Sequence, residues 1–388
     1  MPGRLATDEL GDDTSDLLLP RSAVNAGRCA TGDNALSPFG SSWVRGRSES
    51  EAGVKMAVML GYETLRGVLR MEEAIDLLER AFAHESAGAT VVSPKFVTDF
   101  GNGSMRILFA TDERAGYAAI KAYHSVRGAG ARYVVSLYSL EDGELLAWLD
   151  GQLITDLRTG ACSGVIARKV PFPGAVSVGV VGSGNQARMQ LESLASVYQL
   201  GSVAVFSPTA AHRELFAREM SQSLNIDVSP VDSIEAAVRG RQVVASASNA
   251  RTSEPILHGA WLTGCRLLCA VGNTRKQYRE IDVDCFRNAQ LVAVDSLHAL
   301  EEAGELRLAV EAEALPEARR ATLGQIVTGS AAVPGDGLII FKSVGSALQD
   351  LALASRYYEK LGARVDLPQG EGVGVLRRPP WAKSGEQR

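Results

Sequence analysis

Three groups of residues in the 388-residue chain have types and spacings that could do chemistry. The first is Gly182-Ser-Gly184-Asn185-Gln186-Ala187. It follows the apolar run Ser177-Val-Gly-Val-Val and opens a segment with Met189, Leu191, Leu194 and Val197 at helical spacing. At such a strand-to-helix turn the first glycine permits the tight bend and the second lets the backbone approach a pyrophosphate. The third small residue allows close helix–strand packing. Helix N-terminal amides then face the phosphates. Gly182, Gly184, Asn185, Gln186 and Ala187 are therefore expected to hold a dinucleotide. The second group is Arg158, whose guanidinium offers two parallel donors matched to a carboxylate; it is placed at a strand–helix junction, and a structural ion pair is the competing role. The third is Lys121, in the apolar context Ala118-Ala-Ile-Lys-Ala. It sits either on a solvated strand face or in a pocket, where desolvation beside other cations lowers its pKa toward the range of a general acid. The residues alone leave that choice open.

The second strand after the glycines decides which dinucleotide is expected. An NAD site usually carries Asp or Glu about 20 residues after the glycines, at the end of that strand. Here the place falls at Ser207-Pro208-Thr209, after Val203–Phe206, and no acid occurs until Glu214. Ser207 and Thr209, with His212 and Arg213 nearby, suit a 2′-phosphate, so NADP(H) is expected over NAD(H).

These groups need elements to position them. Ile75, Leu78 and Phe82 form one helical stripe, with Gly88 as a stop. A strand-rich zone follows in Arg106–Phe109, Ala118–Tyr123 and Tyr133–Tyr138, with Glu141–Glu144 as a hairpin turn. A wall of the substrate pocket is expected from strands between 90 and 140. Thr159–Lys169 reads as a helix of small residues ended by Pro171 and Pro173. From Ser177 to Asp295 strand and helix signals alternate, which predicts an α/β, Rossmann-type, doubly wound parallel sheet. A further helix is expected from about Val344 to Leu361. Residues 1–55 have no sustained apolar period and read as a disordered extension, with Met56 as a candidate biological start; the Gly-, Pro- and Arg-containing segment 368–388 reads as a mobile tail.

Hydrophobic residues at 46% and charged residues at 22% are the balance of a globular protein. A net charge of −5 argues against nucleic-acid binding, and no apolar run approaches the roughly 18 residues of a membrane span. Five cysteines without a CxxC pair, and no HExxH, point to a reduced cytoplasmic protein with no metal site. Among secondary candidates, Cys162 has no partner base and reads as core, Tyr123 shares the Lys121 face of its strand, His124 lies on the opposite face, and Asp350 reads as helix-structural.

Taken in order, Pro94-Lys95, Lys121 in AIKAY, LRTGACSG (157–164), VGSGNQA (181–187), AVG (270–272), REID (279–282) and FKSVGSALQD (341–350) resemble the ornithine cyclodeaminase/mu-crystallin family from about Met59 to Leu367. The resemblance implies a homodimer. It implies a substrate-binding and dimerisation domain from 56–172 plus 322–367, an α+β unit, and a dinucleotide-binding domain from 173–321. It further implies hydride transfer between nicotinamide and the α-carbon of a small amino acid or cyclic imino acid. Arg158 then corresponds to the substrate-carboxylate arginine, Lys121 to the active-site lysine, Lys95 to a second basic substrate contact, and Gly272 to the cofactor-side turn. Where cyclodeaminases carry a catalytic acid after that turn, this chain has Asn273 or Thr274, and Asn273 is expected in the catalytic set with Lys121 and Arg158. Asn exchanges no proton at neutral pH, which disfavours the cyclodeaminase reaction; Glu280 and Asp282 lie nearby, Glu280 being expected in a structural contact. The expected function is an imine or ketimine reductase or amino-acid dehydrogenase. The alternatives are a cofactor-recycling cyclodeaminase and a non-catalytic protein holding NADP(H) and a small ligand.

Overall fold

The strand signals resolve into two sheets of opposite character. The computed structural model describes residues 57–362, all in one compact unit; the expectations for 1–55 and 368–388 lie outside these residues. The first sheet has seven strands: β1 (Val58–Leu60), β2 (Thr90–Val92), β3 (Phe96–Phe100), β4 (Gly103–Asp112), β5 (Tyr117–Val126), β6 (Gly130–Ser139) and β7 (Leu145–Asp150). They run in the order β1-β7-β6-β5-β4-β2, with β3 also on β4, and all pairs except β1–β7 are antiparallel. One face is buried through Leu108, Ala110, Ala119, Val135 and Leu137, against the helices Met71–Ser86 and Ala347–Leu361. Strict alternation along β4 to β6 makes the other face a separate surface.

The second sheet is wholly parallel: β8 (Val176–Val181), β9 (Leu200–Phe206), β10 (Val228–Pro230), β11 (Val243–Ser246), β12 (Leu267–Ala270), β13 (Ala289–Val294), β14 (Arg320–Thr322) and β15 (Leu338–Lys342). Its order, β10-β9-β8-β11-β12-β15-β13-β14, reverses direction between β8 and β11. That is the switch point at which a doubly wound sheet opens a crevice at its carboxyl ends. One expectation needs correction. The segment 322–367 expected in the substrate domain includes β15, which lies inside the parallel sheet, between β12 and β13. All five of its residues are buried, as in a strand covered on both faces.

The Gly151–Ala167 helix joins the two halves and is buried almost all round. It starts eight residues before the expected Thr159. The Asp150 carboxylate caps it by accepting from the Gln152 amide at 3.0 Å, a signal of the usual N-cap kind. Arg158 is therefore in the helix interior, not at its junction with a strand. The small residues expected there let this helix approach the Asn185–Val197 helix: a Cβ on Gly160 would stand 2.6 Å from the Met189 carbonyl oxygen.

Candidate active site

A cleft of about 470 Å³ opens where the Gly151–Ala167 helix passes between the inner face of β4–β6 and the carboxyl ends of β8, β11 and β12. Cross-strand register places Arg106, Tyr123 and Tyr133 side by side on that inner face, with Lys121 next to them opposite Leu108 and Val135. The face is thus apolar at one end, where it meets the core, and polar at the other, where it meets the cleft. His124 is exposed on the opposite face, and Cys162 is fully buried in the core with its thiol pushed well up by burial.

Lys121 is 2% exposed, which excludes the solvated-face alternative. Its ammonium donates to Asp350 Oδ1 and to Thr155 Oγ1, both at 2.6 Å. Burial lowers its pKa to about 8; Asp350 opposes that shift, and Arg158 and Lys95 add to it. The amine is thus poised to give or take a proton near neutral pH. Arg158 donates through Nη1 to Gln349 Oε1 at 3.0 Å, and its Nε is 3.7 Å from Asp350 Oδ1. Its Nη2 has no hydrogen-bond partner among the described residues, and Arg158 lines the cleft. The backbone at Gly345 lies against this guanidinium in a left-handed conformation (φ +79°) that favours glycine, and a Cβ there would stand 2.5 Å from Nη1 and displace it. Asp295 shapes the loop that carries these partners: it accepts from Ser343 Oγ at 2.6 Å, the Gly345 amide at 2.7 Å and Gln349 Nε2 at 3.0 Å. Lys95, also in the cleft, donates to Glu302 Oε2 at 2.7 Å and to the Val344 carbonyl at 2.6 Å; burial lowers its pKa, against the pull of Glu302.

On the opposite wall lies the glycine turn. Gly182 has φ +115°, and a Cβ there would stand 2.6 Å from the Ala247 carbonyl oxygen. Around Gly184 nothing lies within 4 Å of a built Cβ. Gly184 is the N-cap of the Asn185–Val197 helix and supplies no side-chain cap, which leaves first-turn amides for an anion. Ala187 is fully buried. These features fit a dinucleotide pyrophosphate. Asn185 Nδ2 and Gln186 Nε2 donate to the two Asp156 oxygens, at 3.3 and 2.8 Å, so these side chains tie the turn to the Arg158 helix and only their backbone is free to meet phosphate. Burial raises the Asp156 pKa, opposed by these hydrogen bonds.

Gly272 and Asn273 line the cleft, but both are held from behind. The Gly272 amide donates to Glu280 Oε2 at 3.0 Å, and Glu280 Oε1 takes the Ser248 amide at 2.8 Å. Asn273 Nδ2 donates to the Tyr278 carbonyl and to Glu305 Oε2 at 2.6 Å, while its carbonyl accepts from Lys342, which pairs with Glu305 at 2.9 Å. Ser207 and Thr209 follow β9, and Arg213 lies in the first turn of the Ala210–Leu224 helix; all three are beyond the cleft lining. Arg213 donates to the Ser207 carbonyl at 3.1 Å and pairs with exposed Asp232.

The structure therefore brings Lys95, Lys121, Arg158, Gly184, Asn185, Gln186, Gly272 and Asn273 to one cleft. Sequence reasoning missed four contributors. Asp350, read as helix-structural, is the counter-ion of Lys121, and its place in the first turn of the Ala347–Leu361 helix gives no hint of a partner 229 residues away. Asp156 lies two residues before Arg158, a signal that was available. Asp295 and Arg106 carry no motif. Among the described residues no group of three His, Cys, Asp or Glu side chains could hold a metal ion.

Residues 55–364 match the model of the ornithine cyclodeaminase/mu-crystallin family. An alanine dehydrogenase from Archaeoglobus fulgidus is 28% identical over 312 residues, covering 78% of this chain and 94% of that protein. The ketimine reductase mu-crystallin of Mus musculus is 31% identical over 225 residues, covering 58% of this chain and 68% of that protein. Among solved structures, the Thermococcus litoralis Δ1-pyrroline-2-carboxylate reductase in complex with NADH and L-proline superposes with a TM-score of 0.73 at 27% identity, covering 78% of this chain and 97% of that one. With two sheets, a glycine turn at the switch point and a buried Lys–Asp pair in the same cleft, and with the match spanning all the described residues, the chain belongs to the ornithine cyclodeaminase/mu-crystallin family.

Proposed function

We propose that the protein is an NAD(P)H-dependent oxidoreductase acting on the C=N or CH–NH bond of a small imino or amino acid. The observation that carries this reading is the single cleft in which Lys121, poised near its pKa and paired with Asp350, and Arg158 face the glycine turn 182–187. When bound, the nicotinamide supplies or accepts a hydride at the substrate α-carbon. The chain's own residues do the rest. Arg158, with Lys95 beside it, fixes the carboxylate; Lys121 Nζ donates a proton to the imine nitrogen in reduction, or removes one from the amine in oxidation; the tyrosines wall off water. Asn273 serves by holding the loop after β12, since its amide is spent on the protein itself. The cyclodeaminase alternative requires a further acid here. Glu280 and Glu305 are both engaged, one by backbone amides and one by Lys342, so neither is free for that duty.

NADP(H) is the favoured coenzyme. The end of β9 carries Ser207 and Thr209 in place of an acid, with Arg213 beside them; its present partner Asp232 is 95% exposed, a pairing that a 2′-phosphate can outcompete. We read the protein as a homodimer joined through the outer face of the first sheet. There Phe109, Ile120, Ser136, Trp148 and Met59 stand in one cross-strand row, and the four apolar members are each at least 40% exposed. Such a face on a monomer is a contact surface. An archaeal alanine dehydrogenase of 27% identity and TM-score 0.71 is a dimer with bound NAD. No described helix is long and apolar enough to cross a membrane. Cys162, Cys265, Cys269 and Cys285 are free and buried, which suits the reducing cytoplasm.

The deciding experiment follows nicotinamide absorbance with cyclic imines, and with 2-oxo acids plus ammonium. Net NADPH consumption supports the reading, with a lower dissociation constant for NADPH than for NADH. Ammonia release from ornithine without net redox change replaces it with the cyclodeaminase. Coenzyme binding without either reaction leaves only the binding protein.

A further inference from the structure

Charge in the substrate half of the cleft exceeds what one carboxylate explains. Four cations project there: Lys95, Lys121, Arg158 and Arg106. Lys95 has Glu302 at 2.7 Å and Lys121 has Asp350 at 2.6 Å. Arg158 faces the α-carboxylate under the reading above. Arg106 remains. Its one hydrogen bond is from Nη1 to Ser104 Oγ at 3.0 Å, and it makes no ion pair among the described residues. Arg251 and Arg275 also line the cleft, but on the loops that follow β11 and β12, beside the coenzyme wall.

A guanidinium cannot shed its charge, and in a half-enclosed site it stabilises an anion most when the partner arrives with its own negative charge. The surroundings of Arg106 are suited to that and not to an aliphatic side chain. Its Cζ lies 5.5 Å from the centroid of the Tyr123 ring, and Ser104 Oγ meets Ser125 Oγ at 3.1 Å. Lys121 Nζ lies 5.8 Å from the centroid of the same ring. The proton-transfer group and the unpaired arginine thus both stand close to the same phenol ring, within reach of the two ends of a short carbon chain.

We infer that the substrate is a short-chain dicarboxylic 2-imino acid, or the corresponding amino acid in the reverse direction, with its distal carboxylate held by Arg106. This rests on the reading above for the reacting end and on Arg106 alone for the distal end. The reaction balances as before: condensation of the 2-oxo acid with ammonia releases water, the C=N carbon gains a hydride from NAD(P)H, and the nitrogen gains the proton from Lys121.

The test compares the protein with Arg106→Met, which keeps a stem over Tyr123 and removes the charge. Oxaloacetate and 2-oxoglutarate with ammonium are set against pyruvate and 2-oxobutyrate with ammonium. In parallel, calorimetry compares succinate with propionate binding in the presence of NADP+. The dicarboxylic series is expected to win by roughly 10- to 100-fold in kcat/KM and in affinity, the worth of a charge-assisted hydrogen bond, and Arg106→Met brings that ratio close to one. Two results overturn the inference: equal or better handling of the monocarboxylic series by the unaltered protein, or proportional losses on both series in the variant, which would make Arg106 part of the α-carboxylate clamp. If no series consumes NADPH yet succinate outbinds propionate through Arg106, the distal anion site stands and imine reduction is the part that fails.

Discussion

At the scale of single residues the proposed chemistry reduces to one proton on one amine. Lys121 has a pKa near 8 because burial penalises its charge more than Asp350 restores it. Reduction consumes the protonated form, so kcat/KM for reduction is expected to hold at neutral pH and to fall as pH rises through about 8. Oxidation needs the free amine, so its profile falls as pH drops below the same value. Asp350→Asn removes the group that raises this pKa, and the alkaline limb for reduction moves to lower pH; a limb that stays in place or moves upward refutes the pairing. Lys121→Met is expected to slow turnover by about 10²- to 10⁴-fold, the usual contribution of a general acid, with coenzyme affinity measured by fluorescence titration kept.

At the scale of elements the site depends on how closely two helices approach. The Gly151–Ala167 helix carries Thr155, Asp156 and Arg158, and the Asn185–Val197 helix opens at the coenzyme turn; Asp156 clasps Asn185 and Gln186 across the gap. Gly160→Val places a branched side chain where even a Cβ would stand 2.6 Å from the Met189 carbonyl oxygen. The helices must part, at a cost of about 1–3 kcal/mol for an overpacked core. The thermal midpoint is expected to fall, and coenzyme and substrate affinities to weaken together. A variant that loses stability while keeping both affinities would show that the helices position the two ligands independently. The loop 343–346 with the first turn of the Ala347–Leu361 helix is the second positioning element, because Asp295 gathers its amides and side chains and so presents Gln349 and Asp350 to the two cations.

At the scale of the whole molecule the proposed dimer rests on the outer face of the first sheet, and mass tests it. Ile120→Asp places a charge in the middle of the apolar row of Phe109, Ile120, Trp148 and Met59. Sedimentation is expected to report a dimer for the unaltered protein and a monomer for this variant at micromolar concentration. Ile120 points away from Lys121, so the monomer should still bind the coenzyme. A dimer that survives the charge would place the interface elsewhere.

The parallel sheet and the coenzyme turn were legible in the sequence because both are local. A βαβ unit writes its strand, its glycines and its helix within some 30 residues, and the steric demand at Gly182 is met by residue type alone. The absence of an acid after Phe206 was likewise readable from one position. What the chain order could not give was any pairing over distance. Lys121 with Asp350 and Lys95 with Glu302 join residues more than 200 positions apart, and β15 enters the sheet between β12 and β13, out of chain order. An apolar strand with one lysine reads the same whether that lysine meets water or a buried carboxylate. Only the fold, by excluding water and bringing Asp350 to 2.6 Å, turned an ordinary cation into a titrating one.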